Sequence, residues 1–386
     1  MLGNVLLTVS ACLLYVVAVH VWPSCEQWWM TDSSTIYLAA AKAFGSEDYW
    51  SVVGQMGPTG QGAPGIASFL HFTGANATVP PYLMIAVHIV LVAIAAGVLA
   101  TSAQHSRFVA LAFTIQMLPF VPIIDIQVLS IALAYIGLGL VFAGGNTAAS
   151  GLVVGLSALC RSTTAIFTPI GTVWFLLNGR IRSACVYLIV ALTPLLLWLG
   201  MVYVNLGGTV SHFRDLATGV HMRLIPGLKA GGNPGKHVAI ATELYTVYRQ
   251  RIAEGATKQD MYDWDVSEIR RELPGLVSRI PRYLVVNTGY ALLGSNKQWC
   301  MSLDLSPPKW ILRIFSALLV ALSVVGAYRM WRTDRSLCIT CGLIIGSSLA
   351  LVELSGANTS AWYFLPASGA FALLWHEAVR RERMPV

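Results

Sequence analysis

Long apolar runs broken by short polar turns dominate the chain. A run near 20 residues predicts a helix able to cross a hydrocarbon core of about 30 Å, because a helix rises about 1.5 Å per residue. Such runs fall near 2–21, 83–101, 108–122, 126–143, 150–160, 164–177, 184–205, 310–328, 336–353 and 362–377. The fifth and sixth are short, flank Arg161 and predict a tight hairpin. Two longer, more polar stretches, 22–82 and 206–309, interrupt the series. The pattern predicts an all-α integral membrane protein, a single polytopic domain over 1–386. It would have about 10 transmembrane helices and two long external loops containing interfacial helices.

Within the first loop, Ile36, Ala40 and Phe44 repeat at helical spacing behind Asp32, which predicts a helix over 33–44. Trp22, Trp28 and Trp29 suit the headgroup layer. Gly57 to Gly65 is a Gly/Pro turn region that leads into a short helix near 66–73. The second loop predicts an amphipathic helix near 238–254, ended by Gly255. Another is predicted near 266–272, with Asp265 as N-cap and Glu268 completing a capping box. Together these make a helical cap over the membrane.

Composition strengthens the membrane reading. Apolar residues make up 56% of the 386 and charged residues only 11%, against roughly 25% charged in soluble domains. So few charges cannot cover a soluble protein of this length, and the pattern excludes a disordered chain or a coiled coil. The net charge of +7 would suggest nucleic acid in a soluble protein; here it signals orientation, and no nucleic-acid partner is expected. Placing 102–107, 144–149, 178–183, 329–335 and 378–386 on one side puts nine cations there: Arg107, Arg180, Arg182, Arg329, Arg332, Arg335, Arg380, Arg381 and Arg383. The short opposite segments carry one, Arg161. The positive-inside rule then makes the chain a multi-pass membrane protein with both termini cytoplasmic; a bacterial inner membrane is the expected location, with an endomembrane and a lumenal active site as the alternative. The first run lacks a charged n-region and meets Trp22-Pro23 rather than small residues, so it is expected to be a span, not a signal peptide.

Of the 18 acidic residues, 14 fall outside under this topology, so any chemistry should face outward. Asp32 is either a helix N-cap or a carboxylate that takes a proton from a nucleophile at the interface. Asp125 stands alone in apolar sequence at a turn, either as a cap or as a functional acid. Arg161 either snorkels to headgroups or binds phosphate, whose oxygens match the guanidinium fork. Glu353, in the outer part of the ninth run, is a candidate cavity residue followed by the aromatic Trp362, Tyr363 and Phe364. Metal signals are weak: Cys338-x-x-Cys341 lies inside an apolar run and reads as packing, and His212, His221 and His237 lack ligand spacing. No metal ligand set is assigned. Cys25 and Cys300, one in each long loop, are a candidate disulfide.

Several of these patterns resemble the GT-C superfamily of integral-membrane glycosyltransferases, which use polyprenyl-phosphate sugars. Asp32-x4-Tyr37-x-x-Ala40 looks like that family's first-loop acidic motif with its helix. Pro58-x5-Pro64-Gly65, then Phe69-Leu70-x-x-Thr73-Gly74, looks like its second interfacial segment. Asp125 falls where the second-loop acid lies. Leu156 to Pro169 resembles the hairpin with a basic residue near the donor phosphate, and Tyr363-x-Leu-Pro366 resembles a terminal pattern. The family's frequent Arg before that Tyr is Trp362 here, and no large C-terminal soluble domain is expected.

The resemblance implies transfer of a sugar from a polyprenyl-phosphate donor to a lipid, glycan or protein acceptor, with inversion, at the outer membrane face. Asp32 would be the base. Asp125 would position the acceptor or a divalent cation. Arg161, with Arg214 or Arg223, would hold the donor phosphate, and Tyr37, Glu353 and Tyr363 would line the cavity. Competing functions are a transporter or flippase of lipid-linked sugars, a polymerase or ligase of undecaprenyl-linked glycans, and a structural or assembly subunit. A transporter needs no base and keeps its polar groups near the midplane, whereas the acids here lie outside.

Overall fold

The computed structural model describes residues 1–21, 38–56, 64–74, 82–122, 126–206, 217–231, 233–294, 309–354 and 365–380. Among these the chain is helical throughout, with no strand. Ten helices build the described part of the bundle: α1 (Leu2–Val21), α5 (Tyr82–Thr101), α6 (Arg107–Met117), α7 (Ile126–Phe142), α8 (Thr147–Cys160), α9 (Phe167–Leu177), α10 (Ile181–Leu206), α15 (Lys309–Thr333), α16 (Arg335–Leu354) and α17 (Ser368–Val379). Three short helices of the first loop lie against one end: α2 (Leu38–Ala43), α3 (Tyr49–Met56) and α4 (Pro64–Phe72). The second loop contributes α11 (Ile225–Ala230), α12 (Pro234–Ala253), α13 (Lys258–Leu276) and α14 (Ile280–Gly294).

The apolar runs predicted helices well but not how many reach across a membrane. The expected ten crossings are corrected to three helices that are long and apolar enough among the described residues: Tyr82–Thr101, Ile181–Leu206 and Arg313–Thr333. The other apolar stretches, such as Arg107–Phe120, Thr147–Cys160 and Ser162–Leu177, run 10–17 residues. At about 1.5 Å per residue these fall short of a ~30 Å core. Tight 3-10 turns interrupt the α-helices here, at Leu118–Phe120 with its Pro119 and at Ser162–Ile166, and a third, Leu365–Ala367, leads into α17.

Packing in the bundle depends on close backbone approach. Gly151 and Gly155, one helical turn apart on α8, face α10. A Cβ at Gly155 would stand 2.5 Å from the Ala191 carbonyl oxygen and 3.0 Å from the Pro194 ring. Small residues at this spacing let helices meet without a hydrophobic driving force between them. Buried hydroxyls pair across helices, as Thr8 and Thr114 do at 2.9 Å.

One end of the bundle is sewn together by the segments expected to share a side. Asn4 Nδ2 donates to the His105 carbonyl at 3.2 Å, and Ser106 Oγ meets His376 Nδ1 at 3.1 Å. Arg329 Nη1 donates to the carbonyls of Ala378 and Arg380 at 2.9 and 3.0 Å, capping the end of α17. We call this the arginine-rich end and its opposite the loop end.

Helix α17 starts inside the bundle, where its free backbone groups need partners. Tyr135 of α7 supplies them: its hydroxyl donates to the Pro366 carbonyl at 2.5 Å and accepts from Ala370 N at 3.3 Å. Gln116 Nε2 donates to the Ser368 carbonyl at 3.0 Å. Tyr135→Phe strips both contacts from a fully buried hydroxyl site, and we expect it to lower stability by about 1–3 kcal/mol. Thermal unfolding of the detergent-solubilised chain measures this; an unchanged midpoint would show that the 3-10 turn does not need the hydroxyl.

Candidate functional site

At the loop end, α4 is the common neighbour of several elements. Its buried face carries Ile66, Ala67 and Leu70. His71 Nδ1 lies 2.9 Å from the Ala41 carbonyl of α2, which ties the two loop helices together. At its first turn, α4 meets the end of α8. A Cβ at Gly65 would stand 2.8 Å from Cys160 Sγ and 2.9 Å from Cys160 N, so only glycine lets the backbones come this close. One turn along, the Phe69 ring stacks on His88 of α5 at 5.4 Å. The His88 Nδ1 in turn faces the Val121 carbonyl at 3.0 Å. A carbonyl only accepts, so Nδ1 carries the proton. Among the described residues, Nε2 is left buried without a hydrogen-bond partner.

Arg161 sits next to that first contact. Its backbone is extended (φ −155°, ψ 124°), which ends α8 and starts the 3-10 turn Ser162–Ile166. Arg161 N–H donates to the Ser157 carbonyl at 3.0 Å. Its own carbonyl accepts from Thr164 N at 3.1 Å and from Thr164 Oγ1 at 2.8 Å. Ser157 and Thr164 are both fully buried, so this turn fixes the backbone at Arg161, whose side chain is half-buried. The 3-10 turn packs against α7, α9 and α16.

The predicted site residues divide sharply. Arg161 is placed, one residue past the Gly65–Cys160 contact of α4, on a turn that packs against α7, whose first residue, Ile126, follows Asp125 in sequence. Asp32, Tyr37, Asp125, Arg214 and Tyr363 lie outside the described residues, as do Cys25 and Cys300. The described chain stops at Pro122, three residues before Asp125 and directly after the Val121 carbonyl held by His88. Glu353 belongs to the last turn of α16. Arg223 is exposed on a π-helical turn, Val220–Leu224, that packs against α16. Thus α16 touches both the Arg161 turn and the turn carrying Arg223.

The cap holds a group that local sequence patterns missed. Asp265 is 0% exposed. One of its oxygens accepts from Thr218 Oγ1 and the other meets His221 Nδ1, both at 2.6 Å. The Trp264 ring meets His221 edge-on at 4.7 Å, and the Arg251 guanidinium lies 4.6 Å over Trp264. Asp265 is therefore not the N-cap expected from sequence. Its helix begins earlier, at Lys258, behind a capping box of Thr257 and Asp260. His221 and Asp265 are 44 residues apart, and no spacing rule joins them. The π turn that carries His221 is itself an uncommon element, often found near functional positions.

No known protein family, curated protein or solved structure matches the chain.

Three cap groups are displaced from their ordinary pKa values by their surroundings. Burial pushes the His237 imidazole below its ordinary pKa. Hydrogen bonds from Thr257 hold the Asp260 carboxyl low. Burial pushes the Glu272 carboxyl up, but hydrogen bonds and charge from Lys229 and Arg271 outweigh it and hold the group low. A group with a lowered folded pKa contributes stability above its unfolded pKa and loses it as pH falls. The cap should weaken first as pH drops below the ordinary imidazole value of ~6.5 and again below ~4.5. Thermal unfolding from pH 7.5 to 2.5 checks this. Glu272→Gln should shrink the acid limb and leave the limb above pH 5.5 unchanged; an identical acid limb would rule out Glu272 as its source.

Proposed function

We propose that the chain is a multi-pass membrane glycosyltransferase that moves a sugar from a polyprenyl-phosphate donor to an acceptor at the membrane face of its loop end. The observation that carries this proposal is the position of α4. It joins the end of α8 at Arg161 to the Val121 segment that leads into Asp125, and to α2, which lies close after Asp32 in sequence. A donor anchored by its lipid tail presents its sugar–phosphate bond at headgroup depth, where a loop-roofed site meets it.

The chemistry is a direct displacement. The acceptor hydroxyl or amine attacks C1 of the sugar as the C1–O bond to phosphate breaks, and polyprenyl phosphate leaves with the bonding pair. Asp32 takes the acceptor proton. Asp125 orients the acceptor or holds a divalent cation. Arg161 gathers the negative charge that builds on the leaving phosphate, a role suited to the guanidinium fork. Arg214 and Arg223 extend the same positive field from the cap, and Tyr37, Glu353 and Tyr363 line the cavity. A bacterial inner membrane, with the arginine-rich end cytoplasmic, fits the charge partition.

Release of polyprenyl phosphate from radiolabelled lipid-linked sugars, run over sugar and acceptor panels, tests the proposal. We expect Asp32→Asn to reduce turnover at least ~100-fold and Arg161→Gln about 100–1,000-fold, the range for general-base and charge-stabilising groups. Sugar crossing a membrane with its phosphate bond intact would instead identify a transporter. Wild-type turnover in folded Asp32→Asn protein would remove Asp32 as the base.

A further inference from the structure

The arginine-rich end carries more positive charge than its own acids neutralise. Arg107, Arg180, Arg182, Arg332 and Arg335 are all exposed. Among the described residues none of them forms an ion pair. Two of them stand at the corner where α15 ends and α16 begins. The Arg332 guanidinium lies 4.7 Å over the Tyr328 ring, and Arg335 lies 5.6 Å over Trp331. The acid between them, Asp334, is engaged elsewhere: its Oδ1 accepts from Leu337 N at 2.9 Å, capping α16.

The aromatic partners are open to the surroundings, with Tyr328 59% and Trp331 48% exposed. They continue an exposed apolar face of α15 that includes Leu318, Val324 and Val325. Along one helix, therefore, an apolar stripe ends in two rings, and each ring holds a guanidinium. A ring face fixes the guanidinium by attraction to its quadrupole while leaving the N–H edges available to donate. Those edges fit the oxygens of a phosphate.

We propose that this corner binds one anionic phospholipid, with its phosphate on Arg332 and Arg335 and its acyl chains along Leu318, Val325 and Tyr328. Charge complementarity selects an anionic headgroup over a zwitterionic one. The apolar stripe selects a lipid over a free phosphate, which has nothing to lay against it. An acidic peptide would leave the stripe uncovered. The site lies at the opposite end from the proposed transfer chemistry and does not depend on it.

Native mass spectrometry of the full chain, offered equimolar phosphatidylglycerol and phosphatidylcholine, tests the proposal. We expect wild type to retain phosphatidylglycerol at least fivefold over phosphatidylcholine. The double variant Arg332→Gln/Arg335→Gln should fall to near parity, while Arg332→Lys/Arg335→Lys keeps most of the preference. Parity of the two lipids on wild type overturns the proposal, whether or not the variants fold. An unchanged preference in the glutamine variant also overturns it. A thermal-shift arm with inorganic phosphate separates the sources: stabilisation equal to that by phosphatidylglycerol would mean an anion site without a lipid and would overturn it too.

Discussion

The contact between the first turn of α4 and the end of α8 holds the loop end together. A nine-residue helix lying beside a bundle has little area to bury, so its position depends on how closely its backbone can approach. Gly65 removes the side chain that would collide with Cys160. That approach brings α4 beside the extended break at Arg161, and the Ser157–Thr164 hydroxyls keep the break in place. From the same helix, Phe69 reaches His88, and His88 holds the segment before Asp125. Remove the Gly65 contact, and the three pieces of chain that carry the candidate chemistry lose their common neighbour.

The rest of the molecule follows from a related constraint, the need to satisfy backbone groups where water is scarce. Tyr135 does this for the start of α17 and Arg329 for its end. At the cap, the same demand applies to a carboxylate: Asp265 is tolerated at full burial because Thr218 and His221 occupy both its oxygens. The two ends of the bundle use arginine differently. At the loop end, Arg161 sits on a hydrogen-bonded break in the chain. At the other end, arginines cap carbonyls or rest on exposed aromatic rings.

Much of the helical layout was legible in the apolar runs. The run at 126–143 became Ile126–Phe142, and 184–205 became Ile181–Leu206. The α4 helix, expected near 66–73, spans Pro64–Phe72. The number of crossings was not legible, because hydropathy registers apolarity and not the 3-10 turns that interrupt the α-helices. The Tyr49–Met56 helix was missed because eight residues show little more than two turns of periodicity. Asp265 misled because a plausible cap spacing, Asp265 with Glu268, occurs inside a longer helix whose true cap is Thr257 with Asp260. The partner that gives Asp265 its meaning lies 44 residues away, beyond any local pattern. Arg161 stood out for a physical reason that survived: it is a lone cation between two short apolar segments, and the chain breaks there.

We propose that Asp32, Asp125 and Arg161 share one membrane face, opposite the arginine-rich end. Cysteine labelling in intact cells with a membrane-impermeant maleimide measures it directly, in a background whose seven native cysteines are replaced. Asp32→Cys, Asp125→Cys and Arg161→Cys should all be labelled from outside, whereas Arg107→Cys and Arg335→Cys should be labelled only after permeabilisation. If the first three divide between the two sides, the site does not exist as described.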